Sequence, residues 1–248
     1  MCVKILVCVL SYLRPKYLHQ TLSSFVQANR ALFPDAMRMI VLDQCSSSET
    51  IAVLKEFERY IETVYTSEKN LGIGWGYSQL IELSKFHSAE YVLFLEDDWQ
   101  CQVGLETYLD DIFSLFDIHP RVGSLRLRTI DDPIRTTNAV TDKAITTAQW
   151  RDRFLVGNYH YVFNPHVVRQ AVADALIPLS GEYHAMQRYQ TLDLQAAQLQ
   201  DRMFIHIGEE RAHGRLSRRS VPEPVIKHEK IPTTMSFVIS IPLSEREL

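Results

Sequence analysis

The chain has 248 residues, 46% of them hydrophobic and 23% charged, which suits one large α/β domain or a core domain with an appendage. A formal net charge of −4 and an isoelectric point near 6.1 argue against a nucleic-acid partner, which calls for a basic surface. No stretch approaches the roughly 20 apolar residues of a membrane span, so a lipid substrate would be met at the membrane surface, by peripheral contact.

Cys2, Cys8, Cys45 and Cys101 form no CxxC pair and no cysteine–histidine zinc spacing. Cys2, Cys8 and Cys101 adjoin predicted strands, which fits reduced, buried thiols and a cytoplasmic location. The apolar N-terminus is short, carries Lys4, lacks a small-residue cleavage site and leads into Arg14-Pro15. It reads as a first strand rather than a signal peptide.

In chain order, residues 3–10 are aliphatic and β-branched, a buried strand. Pro15 suits the first turn of a helix, and Leu18, Leu22, Phe25 and Val26 recur at helical spacing to about Asn29. Residues 39–42 form a second strand ending in Asp43. Ser46 with Glu49 is a capping-box pattern before a helix that carries Ile51, Leu54, Phe57 and Ile61 on one face. Residues 63–66 are a short third strand. A glycine-dense loop, Asn70-Leu71-Gly72-Ile73-Gly74-Trp75-Gly76, then precedes a helix from about Tyr77 to Lys85. The fourth strand is Tyr91-Val92-Leu93-Phe94-Leu95, running straight into Glu96-Asp97-Asp98-Trp99. This β-α-β-α-β-α-β alternation predicts a parallel sheet with right-handed crossovers.

The second half is less regular. Leu105, Tyr108, Leu109, Ile112, Leu115 and Phe116 predict an amphipathic helix closed by Pro120. Residues 122–128 read as a strand, and 131–150 as a long loop with room for a short hairpin. Residues 154–163 read as a strand ended by Asn164-Pro165, with a short helix through about Ala175. Residues 182–199 read as one helix and 203–207 as a last core strand. The tail from Arg211 is basic at first and proline-rich, and is expected to wrap the surface. The domain reading is a catalytic unit over 1–210, divided at about residue 100, with an extension over 211–248.

Chemistry gathers at the predicted strand ends. In a parallel sheet, Asp43, the loop after strand three and Glu96-Asp97-Asp98 all open on one edge. Three adjacent carboxylates repel one another and call for a cation, and oxygen ligands favour Mg²⁺ or Mn²⁺ over zinc. The alternative is a solvated acidic turn. A carboxylate at Asp43 can accept hydrogen bonds from a base or ribose. Gly72, Gly74 and Gly76 would let backbone approach a ligand at a helix N-terminus. The loop is neither a Walker A motif, since no Gly-Lys-Ser/Thr follows, nor a dinucleotide fingerprint, which belongs after the first strand.

Ser11-Tyr12-Leu13-Arg14-Pro15, Val41-Leu42-Asp43-Gln44-Cys45-Ser46, Asn70-Leu71-Gly72 and Leu95-Glu96-Asp97-Asp98-Trp99 are similar, in order and spacing, to the nucleotide-sugar half of family-2-like GT-A glycosyltransferases. The resemblance covers about residues 3–100. It implies a Rossmann-like GT-A fold with a mostly parallel sheet and helices on both faces. It also implies a metal-dependent, inverting transfer of sugar from a nucleotide-diphospho-sugar to a glycan, glycolipid or other hydroxyl acceptor. Carried over residue by residue, Ser11, Tyr12, Arg14, Asp43, Asn70, Gly72, Glu96 and Asp97 would hold the donor. Asp98, with Asp97 and His206, would hold Mn²⁺ or Mg²⁺. The general base in such enzymes is an Asp or Glu at the start of a helix in the second half, a place that Glu182 fits, with Asp193 in reserve. Arg211, His213 and Arg215 could reach the diphosphate, although a solvated basic tail is the simpler reading. Tyr159, His160 and Tyr161 could line the acceptor pocket, and Trp99 is expected to pack beneath the acceptor region.

Two departures narrow the resemblance. The Gln-x-x-Arg-Trp motif of processive synthases is absent, which implies one sugar per binding event, and the triplet is Glu-Asp-Asp rather than Asp-x-Asp, which leaves Glu96 without a role. A sugar nucleotidyltransferase is a second reading, opposed by Ser11-Tyr12-Leu13-Arg14-Pro15 where those enzymes have a glycine-rich, basic loop. A non-catalytic nucleotide-sugar-binding protein is a third.

Overall fold

The computed structural model describes residues 4–45, 47–127 and 137–208. Cys2, Ser46 and the basic tail with Arg211, His213 and Arg215 lie outside these residues, as does the extension over 211–248. The first half follows the alternation in the sequence: β1 (Ile5–Tyr12), α1 (Pro15–Asn29), β2 (Met37–Gln44), α2 (Ser48–Glu56), β3 (Ile61–Ser67), α3 (Ile73–Ser84) and β4 (Tyr91–Glu96). The second half holds β5 (Trp99–Cys101), α4 (Leu109–Ile118), β6 (Val122–Arg126), β7 (Thr147–Trp150), β8 (Phe154–Gly157), β9 (His166–Arg169), α5 (Gln170–Leu176), α6 (Glu182–Thr191), β10 (Gln195–Leu199) and β11 (Phe204–His206).

One nine-stranded sheet runs β3-β2-β1-β4-β9-β6-β10-β8-β7. β8 and β9 run against the other seven strands. Hydrophobic residues fill both faces of β1, as a doubly covered parallel strand requires. Ile5, Val7 and Val9 pack on the side of α1, α2 and α4, with Leu18, Leu22, Phe25, Leu54, Ile112 and Phe116. Leu6, Cys8 and Leu10 pack on the side of α3, α5 and α6, with Tyr77, Leu80, Ile81, Ala173 and Ala185. Each large apolar side chain buried this way contributes about 1.5–3 kcal/mol. Among the described residues no helix is long and apolar enough to cross a membrane.

Register decides what reaches the sheet edge. β1 pairs in parallel with β2 and β4, so that Leu10 lies beside Glu96, and Ser11 and Tyr12 lie beside Asp43 and Gln44. The C-terminal ends of three strands therefore open together.

Several sequence expectations are corrected. β1 runs through Tyr12 because its last two residues still pair with β2. The cap of α2 is Ser47, whose Oγ accepts from the Thr50 amide at 3.1 Å. α3 starts at Ile73, so Gly74 and Gly76 are helical. The helix read over 105–116 is a 3-10 turn, Leu105–Thr107, followed by α4.

The larger corrections lie further on. The strand read over 154–163 stops at Gly157, and the start of the expected helix at 166–169 is instead β9, whose Val167 and Val168 fill the gap between β4 and β6. The single helix read over 182–199 ends at Thr191. Asp193 turns the chain at φ +49°, and Gln195–Leu199 becomes a strand between β6 and β8. Its Gln-Ala-Ala-Gln-Leu composition favours helix, and pairing on both edges overrides that preference. β11 does not join the central sheet: among the described residues it pairs with β5 in a separate two-stranded sheet, while Phe204 packs into the core.

Candidate functional site

The acidic turn after β4 is built by residues from distant parts of the chain. Its start is fixed by Thr21 of α1, whose Oγ1 donates to the Asp97 carbonyl at 2.8 Å and accepts from the Trp99 amide at 3.1 Å. The Tyr12 amide donates to Asp97 Oδ2 at 2.9 Å, and Arg14 donates from Nη2 to Asp97 Oδ1. Arg14 Nη1 also donates to Asp98 Oδ2 at 2.6 Å. Asp97 and Asp98 are buried, and Arg14 is ion-paired with both.

β11 closes the turn from the other side. The Ile207 amide donates to the Asp98 carbonyl at 2.9 Å, and His206 Nε2 lies 3.2 Å from Asp98 Oδ2. The His206 ring packs on Trp99, their centroids 4.6 Å apart. Asp98 Oδ1 is buried with no hydrogen-bond partner among the described residues. Electrostatics separate the triplet. Burial pushes Glu96 up to about 8, with Asp98 adding to it, and burial also raises Asp97 against the pull of Arg14. Burial opposes ionisation of Asp98 too, but the His206 hydrogen bond and Arg14 outweigh it and hold that carboxyl below its ordinary value.

Alternation along β4 aims Glu96 at the α3 and α6 face, like Phe94. Its Oε2 accepts from Trp99 Nε1 at 3.3 Å. The same face holds Tyr77, whose hydroxyl donates to the Phe163 carbonyl at 2.8 Å and whose pKa burial raises, with Glu96 and Glu182 adding to the shift. Glu182 opens α6, and its Oε1 accepts from the Phe163 amide at 3.0 Å. Glu182 is therefore brought to the edge where β4 ends. Asp193 is not: it stands before β10, at the opposite sheet edge, ion-paired with Arg121 at 2.9 Å, its side chain 91% exposed.

Beside the turn, Ser11 and Asp43 are buried neighbours on β1 and β2. Ser11 Oγ has no partner among the described residues. Gln44 Oε1 accepts from the Leu71 amide at 2.5 Å, and Asn70 Oδ1 from the Gly72 amide at 2.7 Å, which ties the loop before α3 to the end of β2. The glycines of this loop differ from their sequence reading. A Cβ on Gly74 would stand 2.3 Å from Gly181 N, and one on Gly76 would stand 2.6 Å from the Leu10 side chain. Those two serve packing of α3. Gly72, at φ +79° with open space around it, is the one exposed for approach.

Tyr159, His160 and Tyr161 are buried rather than alternating along a strand. With Arg126, His166 and Gln198 they line a small cavity of about 10 Å³, about the room of a single water. Sequence reasoning missed Thr21 and Gln44, both buried and both tied to site backbone. A polar residue on the apolar stripe of α1, and a glutamine directly after Asp43, were the available signals.

Among the described residues no group of three or more His, Cys, Asp or Glu side chains is arranged to hold a metal ion. The donors that are present nonetheless fit a hard divalent cation: an ionised carboxylate with one buried, unpartnered oxygen, next to an imidazole.

Residues 6–113, from β1 into α4, match the family model for glycosyl transferase family 2. Among solved structures, S. aureus TarS 1–349 in complex with UDP-GlcNAc aligns at 20% identity and a TM-score of 0.57, covering 85% of this chain and 60% of that one. The mannosyltransferase PcManGT from Pyrobaculum calidifontis, in complex with GDP-Man and Mn²⁺, aligns at 14% identity and a TM-score of 0.56, covering 84% of this chain and 58% of that one. The chain thus spans less than two thirds of the length of these structures. A search of curated protein sequences finds no match. The likeness to these structures establishes the fold, a GT-A architecture.

Proposed function

We propose that this protein is a metal-dependent, inverting and non-processive glycosyltransferase of the hexosyltransferase type, working in the cytoplasm over residues 1–210. The donor is a nucleotide-diphospho-sugar and the acceptor a hydroxyl of a glycan, glycolipid or similar molecule. The observation that carries this reading is Asp98, whose buried Oδ1 lacks a partner among the described residues, beside His206 and on the same sheet edge as Ser11 and Asp43.

Ser11, Tyr12 and Asp43 bind the nucleoside, Asn70 and Gly72 border the donor, and Asp98 and His206 hold Mn²⁺ or Mg²⁺ with Asp97 behind them. Such a cation, when bound, stabilises the charge that develops on the departing nucleoside diphosphate. Glu182 takes the proton of the attacking hydroxyl: it stands at the start of α6 on the Glu96 face, while Asp193 lies at the opposite edge. Glu96, on that face, accepts a hydrogen bond from the indole of Trp99. Mn²⁺ and GDP-Man in the mannosyltransferase, and UDP-GlcNAc in TarS, support a nucleotide-sugar donor in this fold.

The test is incubation with GDP- and UDP-sugars and Mn²⁺, reading release of nucleoside diphosphate with and without acceptor. Glu182→Gln should lower turnover by about 10²–10⁴-fold and leave donor binding intact. Donor binding without turnover in the unaltered protein would favour a non-catalytic binding protein. Unchanged turnover in E182Q would remove Glu182 as the base.

A further inference from the structure

Two buried carboxylates side by side need positive charge, and in this fold one arginine bridges both. Arg14 gives one arm to Asp97 and the other to Asp98 Oδ2 at 2.6 Å. The two partners are not equivalent. Asp97 is almost sealed, 1% exposed, and its Oδ2 and its carbonyl are engaged by Tyr12 and Thr21. Asp98 faces the space beside His206, and its Oδ1 is buried with no partner among the described residues.

Arg14 itself sits outside regular structure. It precedes α1, directly after Leu13 at φ +48°, and its side chain is 21% exposed, which leaves a route to solvent. The planar guanidinium presents two separate arms in a fixed fork, so it can release one carboxylate and keep the other.

We propose that Arg14 is an internal counter-cation that a divalent metal partly displaces. The metal takes Asp98 in exchange for the Arg14 Nη1 arm, while Nη2 stays on Asp97. The exchange rests on the metal reading of the site given above. Each cation weakens the hold of the other on Asp98, and by linkage the coupling is the same in both directions. Arg14 therefore sets the metal affinity and keeps the acidic turn folded when no metal is bound.

Mn²⁺ binding, read by the enhancement of water-proton relaxation over that of Mn²⁺ with nucleotide alone, tests this in the full chain with saturating GDP or UDP. Arg14→Gln should bind Mn²⁺ about tenfold tighter than the unaltered protein, equivalent to about 1.4 kcal/mol. Arg14→Lys keeps a charge beside Asp97, so it should fold normally, and it should bind Mn²⁺ about threefold tighter because it lacks the second arm. In the unaltered protein labelled with ¹⁵N-arginine, Mg²⁺ should release the hindered rotation of the Arg14 guanidinium, assigned by comparison with R14K. Equal or weaker Mn²⁺ binding in both variants, or an Arg14 signal unmoved at saturating Mg²⁺, overturns the exchange alone. If GDP or UDP binds calorimetrically but none of the three proteins binds Mn²⁺, the exchange and the metal dependence fall together and the nucleotide reading stands.

Discussion

Gly208 lies against Asp98 so closely that a Cβ built on it would stand 2.2 Å from Asp98 Oδ2. The two residues are far apart in sequence and meet because β11 pairs with β5, just beyond the acidic turn. The same segment supplies His206 and the Ile207 amide, so the end of β11 works as one clamp on Asp98. The missing side chain at 208 leaves the room in which that carboxylate sits.

Gly208→Ala is accordingly expected to push Asp98 out of position. Turnover (kcat/KM) should fall at least about tenfold, a loss of about 1.4 kcal/mol in transition-state binding. Melting temperature should fall with it, because the added Cβ would also stand 2.8 Å from Asp98 Cβ and Cγ in a buried place. An alanine variant with unaltered kinetics would mean that Asp98 tolerates displacement.

Thr21 holds the start of the turn through two hydrogen bonds that valine, of the same shape, cannot make. Thr21→Val leaves the Trp99 amide and the Asp97 carbonyl without this partner in a buried place, at a cost of about 2 kcal/mol. Urea unfolding should show that loss, and activity should drop at temperatures where the protein remains folded. A midpoint shift equivalent to less than about 0.5 kcal/mol would show that the turn does not depend on Thr21.

Gly74 and Gly72 separate packing from ligand approach. Gly74→Ala sets a methyl against the backbone of Ser180 and Gly181, an overpacking cost of about 1–3 kcal/mol. Because Gly181 precedes Glu182, turnover should fall with it. Gly72→Ala meets no neighbour and pays only for its backbone, held at φ +79° and ψ 166° where glycine alone is at ease, about 1–3 kcal/mol. Denaturation curves and donor titrations on both variants decide this: weakened donor binding in G74A without loss of stability would return Gly74 to the ligand.

His166 gives the fold an acid-sensitive point. Its Nδ1 donates to the Asn164 carbonyl at 2.7 Å, so Nε2 accepts from the Tyr161 hydroxyl at 2.6 Å, and the ring is neutral. Burial lowers its pKa from 6.5 to about 4. Below pH 6.5 the unfolded chain takes up this proton and the folded chain does not, so stability is lost as the pH falls towards 4 and levels off below it. The loss is at most about 3 kcal/mol. Urea midpoints between pH 7 and pH 4 should show that limb, and His166→Gln should flatten it. An unchanged limb in H166Q would assign the acid loss to other groups.

The second half shows where sequence reasoning ran short, and why. Residues 166–169 and 195–199 carry either no helical period or a composition that favours helix, yet both form strands because β4, β6 and β8 offer unpaired edges beside them. Strand pairing between distant segments leaves a weak local mark, whereas α1 and β1 carry theirs in every residue. The glycine loop misled for a related reason: glycine is required equally where a ligand approaches and where two backbones touch, and only neighbouring atoms tell these apart.

By itself the sequence determined the alternating first half and the strand that ends in three carboxylates, because buried parallel strands must be apolar on both faces and their ends need not be. It also put Asp43 and Ser11 on the edge where that triplet lies, since parallel strands of one sheet end together. Only the tertiary structure decided that the three carboxylates differ. Glu96 turns to the α6 face, Asp97 is sealed by Tyr12, Thr21 and Arg14, and Asp98 is shared between Arg14 and a histidine 108 positions away. Those differences come from burial and from the charges brought close by folding, neither of which is a property of residues along the chain.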